Sequence, residues 1–177
     1  YLTAQARGAD FRELAADPGA AYDEMIELDL NVLEPLVAKP SSPDNVAPVR
    51  EVTGTPVAQV CVGSCVNSSY EDLTTLAAVL KGRTVHPGVS LTVTPGTRQV
   101  ATMIAESGAL ADLLAAGARV LESGCGPCIG MGQAPATGVA SMRSFNRNFK
   151  GRSGTADDRV FLASPETCAA TALRGAI

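Results

Sequence analysis

Apolar and polar positions follow two different rhythms along this chain, and the change falls near residue 56. Between Glu24 and Val32 apolar and polar residues alternate. Period two predicts a strand with one wet face, ended by Glu34-Pro35. Residues 1–20 before it read as a helix and loop. Lys39-Pro40-Ser41-Ser42-Pro43-Asp44-Asn45 and Pro48 form an extended, Pro- and Ser-rich connection. From Val57 to Val62 the chain is apolar but for Gln59, as suits a strand covered on both faces. Leu73, Leu76, Ala77 and Leu80 then recur at helical spacing over Tyr70–Leu80, with Glu71 and Asp72 near the start and Gly82 as a stop. Ser90–Thr94 reads as a strand. Pro95-Gly96-Thr97 opens a helix to about Glu106, and Ala109–Ala116 is a second short helix. Arg119–Glu122, Val139–Phe145 and Val160–Ala163 read as further strands. Ser164-Pro165-Glu166 starts a last helix, running to about Leu173, with Ser as cap and Pro in the first turn.

Strands alternating with helices predict βαβ units. The expected class is α/β, a three-layer α/β/α architecture with a mainly parallel sheet. Residues 1–50 read as a lead-in with one strand and the Pro-rich connection, and residues 51–177 as the compact α/β domain. Such sheets bind ligands past the carboxyl ends of their strands. The chemically unusual residues fall there: Cys65 after one strand, Pro95-Gly96 after the next, Cys125 and Cys128 after the third, Asn146-Arg147-Asn148 after the fourth and Ser164 after the fifth.

Composition narrows the function classes. The chain has 177 residues, 46% hydrophobic and 18% charged, so a single domain with a real core is expected. With no Trp and only 4% aromatics, that core must be aliphatic. A net charge of −4 argues against nucleic acid as a partner, because nothing neutralises a row of phosphates. No apolar stretch is long enough to cross a membrane, and no signal peptide is evident. The first residue is Tyr1 rather than Met, which suggests a piece of a larger protein. Five cysteines are an odd and sparse set for a disulfide scaffold. A reducing, cytoplasmic compartment is expected. Cys61, inside an apolar strand, and Cys168, on a helix, read as structural thiols.

The other three cysteines carry the chemistry. Cys125 and Cys128 share Ser-Gly-Cys-Gly-Pro-Cys, and Cys65 lies in Gly-Ser-Cys-Val-Asn-Ser-Ser. Three soft sulfur ligands suit zinc or an iron–sulfur cluster and leave one position open. A redox dithiol or a zinc half-site are the alternatives for the CxxC alone. The single histidine, His86, stands in a Val-His-Pro-Gly turn and reads as a surface residue. In Asn146-Arg147-Asn148-Phe149-Lys150-Gly151-Arg152, guanidinium groups offer paired hydrogen bonds to carboxylates.

These segments resemble the iron–sulfur hydro-lyases of the aconitase family. The resemblance rests on Gly63–Asp72, Thr94-Pro95-Gly96, Cys125–Gly130, Ser144–Arg152 and Ser164-Pro165-Glu166, with Tyr22 to Pro48 resembling the segment that leads in. It implies the aconitase iron–sulfur domain, with a [4Fe–4S] cluster held by Cys65, Cys125 and Cys128 whose fourth iron acts as a Lewis acid. It implies Arg147 and Arg152 as ligands of substrate carboxylates, with Asn146 near them. The family usually has Thr where this chain has Val66. Its base serine and acid–base His–Asp pairs lie on other domains, so no catalytic residue is expected in this segment, and the isolated piece is expected to be inactive. The expected whole is an aconitate hydratase of the tricarboxylic acid cycle. It would interconvert citrate and isocitrate through cis-aconitate, with a tricarboxylate substrate and the other domains as partners. A 3-isopropylmalate or homoaconitate hydro-lyase is the alternative within the family. A zinc or redox dithiol protein, or an RNA-binding regulatory module, is the alternative outside it.

Overall fold

A computed structural model describes residues 2–177. The chain divides into two units, one ending at Leu33 and one spanning Glu34–Ile177.

The first unit is largely irregular. Two short 3-10 turns, Thr3–Gln5 and Gly8–Asp10, replace the expected helix. Glu24–Val32 contains no strand, and Ile26, Leu28, Leu30 and Val32 are exposed. Alternation specifies two faces but supplies no hydrogen-bonding neighbour, and no strand occurs among the described residues of this unit.

The second unit holds one seven-stranded sheet: β1 (Leu36–Ala38), β2 (Val46–Pro48), β3 (Gln59–Gly63), β4 (Ser90–Thr94), β5 (Arg119–Val120), β6 (Ala140–Arg143) and β7 (Arg159–Leu162). The spatial order is β2-β1-β7-β6-β3-β4-β5. Every pairing from β7 to β5 is parallel, and only β1 runs against its neighbours, antiparallel to both β2 and β7. Its helices are α1 (Tyr70–Leu80), α2 (Arg98–Glu106), α3 (Ala109–Ala115) and α4 (Pro165–Arg174). The α/β class and mainly parallel sheet are thus as the sequence predicts. The β1–β2 edge is built from the lead-in on either side of its Pro-rich connection.

The helix starts are chemical. Ser69 accepts from the Asp72 amide while the Asp72 carboxylate accepts from the Ser69 amide, a reciprocal cap on α1. Thr97 caps α2 and Ser164 caps α4, each accepting an amide three residues on.

The two sheet faces differ. On one, Val60, Val62, Leu91, Val93, Met142 and Phe161 pack in a single core with Leu73, Leu76, Leu80, Cys168, Ala169 and Ala172 of the helices. Burying each large side chain there contributes about 1.5–3 kcal/mol. On the other face the register aligns Gln59 with Ser141, and Cys61 with Arg143 and Thr92. These polar positions are under cover too: Thr92, Ser141 and Arg143 are all buried. Their cover includes the 3-10 turn Pro127–Ile129, whose Cys128 packs with Cys61, Phe145, Val160 and Leu162 in a small second cluster. Burial raises the Cys61 and Cys168 thiols above the ordinary range, which keeps both protonated and suits a packing role.

Candidate functional site

The loops that leave the carboxyl ends of β3, β4, β5 and β6 meet at one rim of the sheet, and glycine permits the closest approaches. Gly63 ends β3 at φ +108°, and a Cβ there would lie 2.0 Å from the Thr94 carbonyl oxygen. No side chain fits between those two backbones. The chain then turns through Ser64 at φ +74° and Asn67 at φ +50°, a costly conformation for residues with a Cβ. Hydrogen bonds hold it: the Ser64 amide to Thr94 O at 3.1 Å, Ser68 Oγ to Ser64 O at 2.6 Å, and Asn67 Nδ2 to the Ser144 carbonyl. Ser144 is buried and its Oγ accepts from the Gly63 amide at 2.9 Å, joining the Cys65 loop to the end of β6.

Cys65 and Cys125 are exposed, and Cys128 is 6% exposed. None of the five cysteines is in a disulfide. The Cys65 and Cys125 loops touch, since Ser64 Oγ donates to Gly124 O at 3.4 Å. The sulfurs themselves are not assembled: among the described residues no three His, Cys, Asp or Glu side chains form a metal-binding group. Adjacency of loops is present, and convergence of thiols is not.

The arginine-bearing loop lies against the CxxC loop. Arg152 donates from Nη2 to Cys128 Sγ at 3.3 Å. Gly130, at φ +83°, comes so near that a Cβ on it would sit 2.0 Å from Ser153 O. Asp158, 4% exposed, holds the loop from within. Its Oδ1 accepts from the Gly151 amide at 3.1 Å and its Oδ2 from the Ser153 amide at 3.0 Å, on either side of Arg152. Asn146 and Arg147 are exposed, whereas Asn148 is buried and donates to Lys39 O and Val160 O. His86 is away from all of this. It lines a hollow with Ala58, Gly138, Val139, Arg159 and Gly175, among residues at or before the amino ends of β3, β6 and β7.

Two side chains at this site escape the sequence reading. Asp158 looks like an ordinary loop acid beside Asp157. Arg143 looks like the end of a strand, yet it is fully buried. Burial lowers its pKa, and the negative forms of Cys61, Asp158 and Cys128 oppose that. The available signal was the alternation Ala140-Ser141-Met142-Arg143, which puts polar residues on one face of a central strand.

In residue type, though not in the placement of the sulfurs, the donors suit a soft metal or an iron–sulfur cluster: three cysteines free of disulfides on neighbouring loops, beside a cationic arginine segment. A parallel α/β sheet with free thiols and guanidinium groups on the loops at its carboxyl rim defines an α/β domain that carries its polar chemistry at one edge. The comparisons with known proteins then fix the family. Residues 50–175 match the model of the aconitase family (aconitate hydratase), and the chain belongs to that family. It is 44% identical, over its whole length, to a 3-isopropylmalate dehydratase large subunit 2 from Archaeoglobus fulgidus, of which it covers 43%. It is 46% identical over 96% of its length to a 3-isopropylmalate dehydratase large subunit 1 from Methanopyrus kandleri, covering 41% of that protein. It is 45% identical over 92% of its length to a homoaconitase large subunit from Thermus thermophilus, covering 39%. The chain therefore spans about two fifths of the length of the curated relatives it matches. These names move the weight from the expected aconitate hydratase of the tricarboxylic acid cycle to the isopropylmalate and homoaconitate alternative. Among the described residues no helix is long and apolar enough to cross a membrane.

Proposed function

We propose that this chain is the thiol-bearing part of the large subunit of an iron–sulfur hydro-lyase acting on 3-isopropylmalate or a close homologue. The observation that carries the reading is the likeness, at 44–46% identity, to proteins named as large subunits of 3-isopropylmalate dehydratase and homoaconitase. Cys65, Cys125 and Cys128 would hold the cluster. When bound, it supplies a Lewis-acidic iron that assists departure of a hydroxyl group, a poor leaving group by itself. Arg147 and Arg152 bind and orient the substrate carboxylates through paired hydrogen bonds. Asp158 keeps the Arg152 loop in place, and Asn146 stands exposed beside Arg147. The proton-transferring groups come from elsewhere in the enzyme, because His86 stands away from the rim. A complementary subunit or further domains complete the site. The word "large" in the relatives' names supports this.

The test is anaerobic reconstitution of the complete protein and its partner subunit with iron and sulfide. Conversion of 3-isopropylmalate, homoaconitate and citrate is then followed by ultraviolet absorption of the unsaturated acid. Turnover of 3-isopropylmalate or homoaconitate well above citrate is expected. Preferred turnover of citrate, or stoichiometric zinc in place of iron and sulfide, would overturn the reading.

A further inference from the structure

Arg143 carries a charge with no counter-charge at bonding distance. Its side chain is fully buried, and among the described residues no carboxylate pairs with it. Every hydrogen bond it makes goes to a neutral acceptor. Nε donates to Ser141 Oγ at 3.1 Å, Nη1 to Pro127 O at 2.8 Å, and Nη2 to Gln59 Oε1 at 3.0 Å and Gln133 O at 2.8 Å. Gln59 closes the network, since its Nε2 donates to Gln133 O at 3.1 Å and its Oε1 accepts from Ser141 at 2.8 Å. The guanidinium carbon lies 5.5 Å from the Phe145 ring centroid. Two of the four acceptors, Pro127 O and Gln133 O, are backbone carbonyls of the loop segment that carries Cys125 and Cys128. A planar fork thus ties strands β3 and β6 to that loop from the sheet side.

A buried cation is costly unless something compensates it. Neutral dipoles do so partially, and the one buried carboxylate that acts on Arg143, Asp158, does so across space while its oxygens bond the Gly151 and Ser153 amides. We propose that Arg143 is a positioning residue for this turn: it fixes the backbone between the two cysteines and supplies the inner positive charge that complements an anionic metal–thiolate group on the outer side. The second half rests on the proposed cluster, and the first half does not. The sequence shows an arginine inside a core strand, and the structure shows that its hydrogen bonds go to the turn.

The test uses the complete protein with Arg143→Lys and Arg143→Met, folding being checked by circular dichroism. In the metal-free form, alkylation by iodoacetamide is mapped by mass spectrometry at Cys65, Cys125 and Cys128. Losing the fork removes charge-assisted bonds, so Arg143→Met should speed alkylation of Cys128 about tenfold or more. Arg143→Lys should fall between it and the wild type. Cys65, on a loop Arg143 does not touch, is the internal control and should keep its rate. An unchanged Cys128 rate, or equal acceleration at Cys65 and Cys128, overturns the positioning role. If Arg143→Met does not fold, Arg143→Lys decides by the same comparison. After anaerobic loading with ferrous iron and sulfide, the midpoint potential is read by electron paramagnetic resonance. It should drop in Arg143→Met and less in Arg143→Lys, since a nearby cation favours the reduced cluster. Equal potentials overturn the electrostatic half. A wild type that takes up no iron or sulfide sinks the cluster reading and the electrostatic half together, while the alkylation result still judges the positioning role.

Discussion

Replacing Gly130 by alanine tests whether the CxxC loop and the arginine loop are packed as one body. Gly130 and Gly132 both sit in the left-handed region, at φ +83° and +65°. They differ in surroundings. A Cβ on Gly130 would stand 2.0 Å from Ser153 O, 2.6 Å from Ser153 C and 3.0 Å from Gly154 Cα, all backbone atoms that no rotamer change can move aside. A Cβ on Gly132 would meet nothing within 4 Å. Each substitution pays the left-handed penalty for an L-residue, about 1–2 kcal/mol. Only Gly130→Ala adds overpacking, about 1–3 kcal/mol. The contact therefore accounts for the difference between the two variants, about 1–3 kcal/mol. In a protein of at least this size each kcal/mol shifts the melting temperature by at most roughly 2–4 °C. Paired thermal melts of the two variants in the complete protein measure it, and alkylation of Cys128 reports whether the site opens. Equal melting temperatures for the two alanine variants would refute the loop contact, because the shared backbone term cancels between them.

Other outcomes follow from the same geometry. Asp158→Asn replaces one acceptor oxygen by an NH2 group facing a backbone N–H, at a cost of about 2–4 kcal/mol. In the reconstituted enzyme KM should rise more than kcat falls as the Arg152 loop loosens, which steady-state kinetics on 3-isopropylmalate would show. Arg152→Lys loses the planar fork, so substrate affinity should weaken about tenfold or more while iron and sulfide content stays constant; wild-type affinity would remove Arg152 from the substrate site. Buried Cys61 and Cys168 have raised folded pKa values, so their contribution is complete below the ordinary thiol value of 9.0 and is lost as pH climbs above it. Chemical denaturation between pH 7 and 10 should show stability falling, and Cys168→Ala should flatten that fall.

The helical half of the fold was legible because local chemistry and tertiary burial agree there. Leu73, Leu76, Ala77 and Leu80 give the stripe, Ser69 and Asp72 the start, and all four apolar residues are buried. Central strands were legible as apolar runs, but the reading of two equivalent covered faces missed a distinction. Ser90-Leu91-Thr92-Val93-Thr94 and Ala140-Ser141-Met142-Arg143 alternate, and both the apolar and most of the polar positions are buried. Polar side chains inside a central strand mark the face the site-bearing loops cover, which period-two reasoning assigns to water instead. Glu24–Val32 failed for the opposite reason, since the described residues of its own unit include no strand to pair with. At the site, chemistry-bearing residue types and their placement after strand ends were readable one loop at a time. What no single loop encodes is the pairing between them: Ser64 with Gly124, Arg152 with Cys128, and Arg143 with Pro127.

The exposed stretch from Met25 to Leu33 has a consequence for handling the protein. Ile26, Leu28, Leu30 and Val32, exposed in a run of β-prone sequence, are a template for chain-to-chain stacking. Glu24, Glu27 and Asp29 act as guards, because in-register neighbours would set like charges on top of one another. Asn31 donates to Asp29 from both its backbone and side-chain nitrogens, which lowers the Asp29 pKa and keeps that guard on duty further into acid than a free aspartate. Solutions of this chain should therefore turn turbid on acidification, and Asn31→Leu should bring the onset to higher pH.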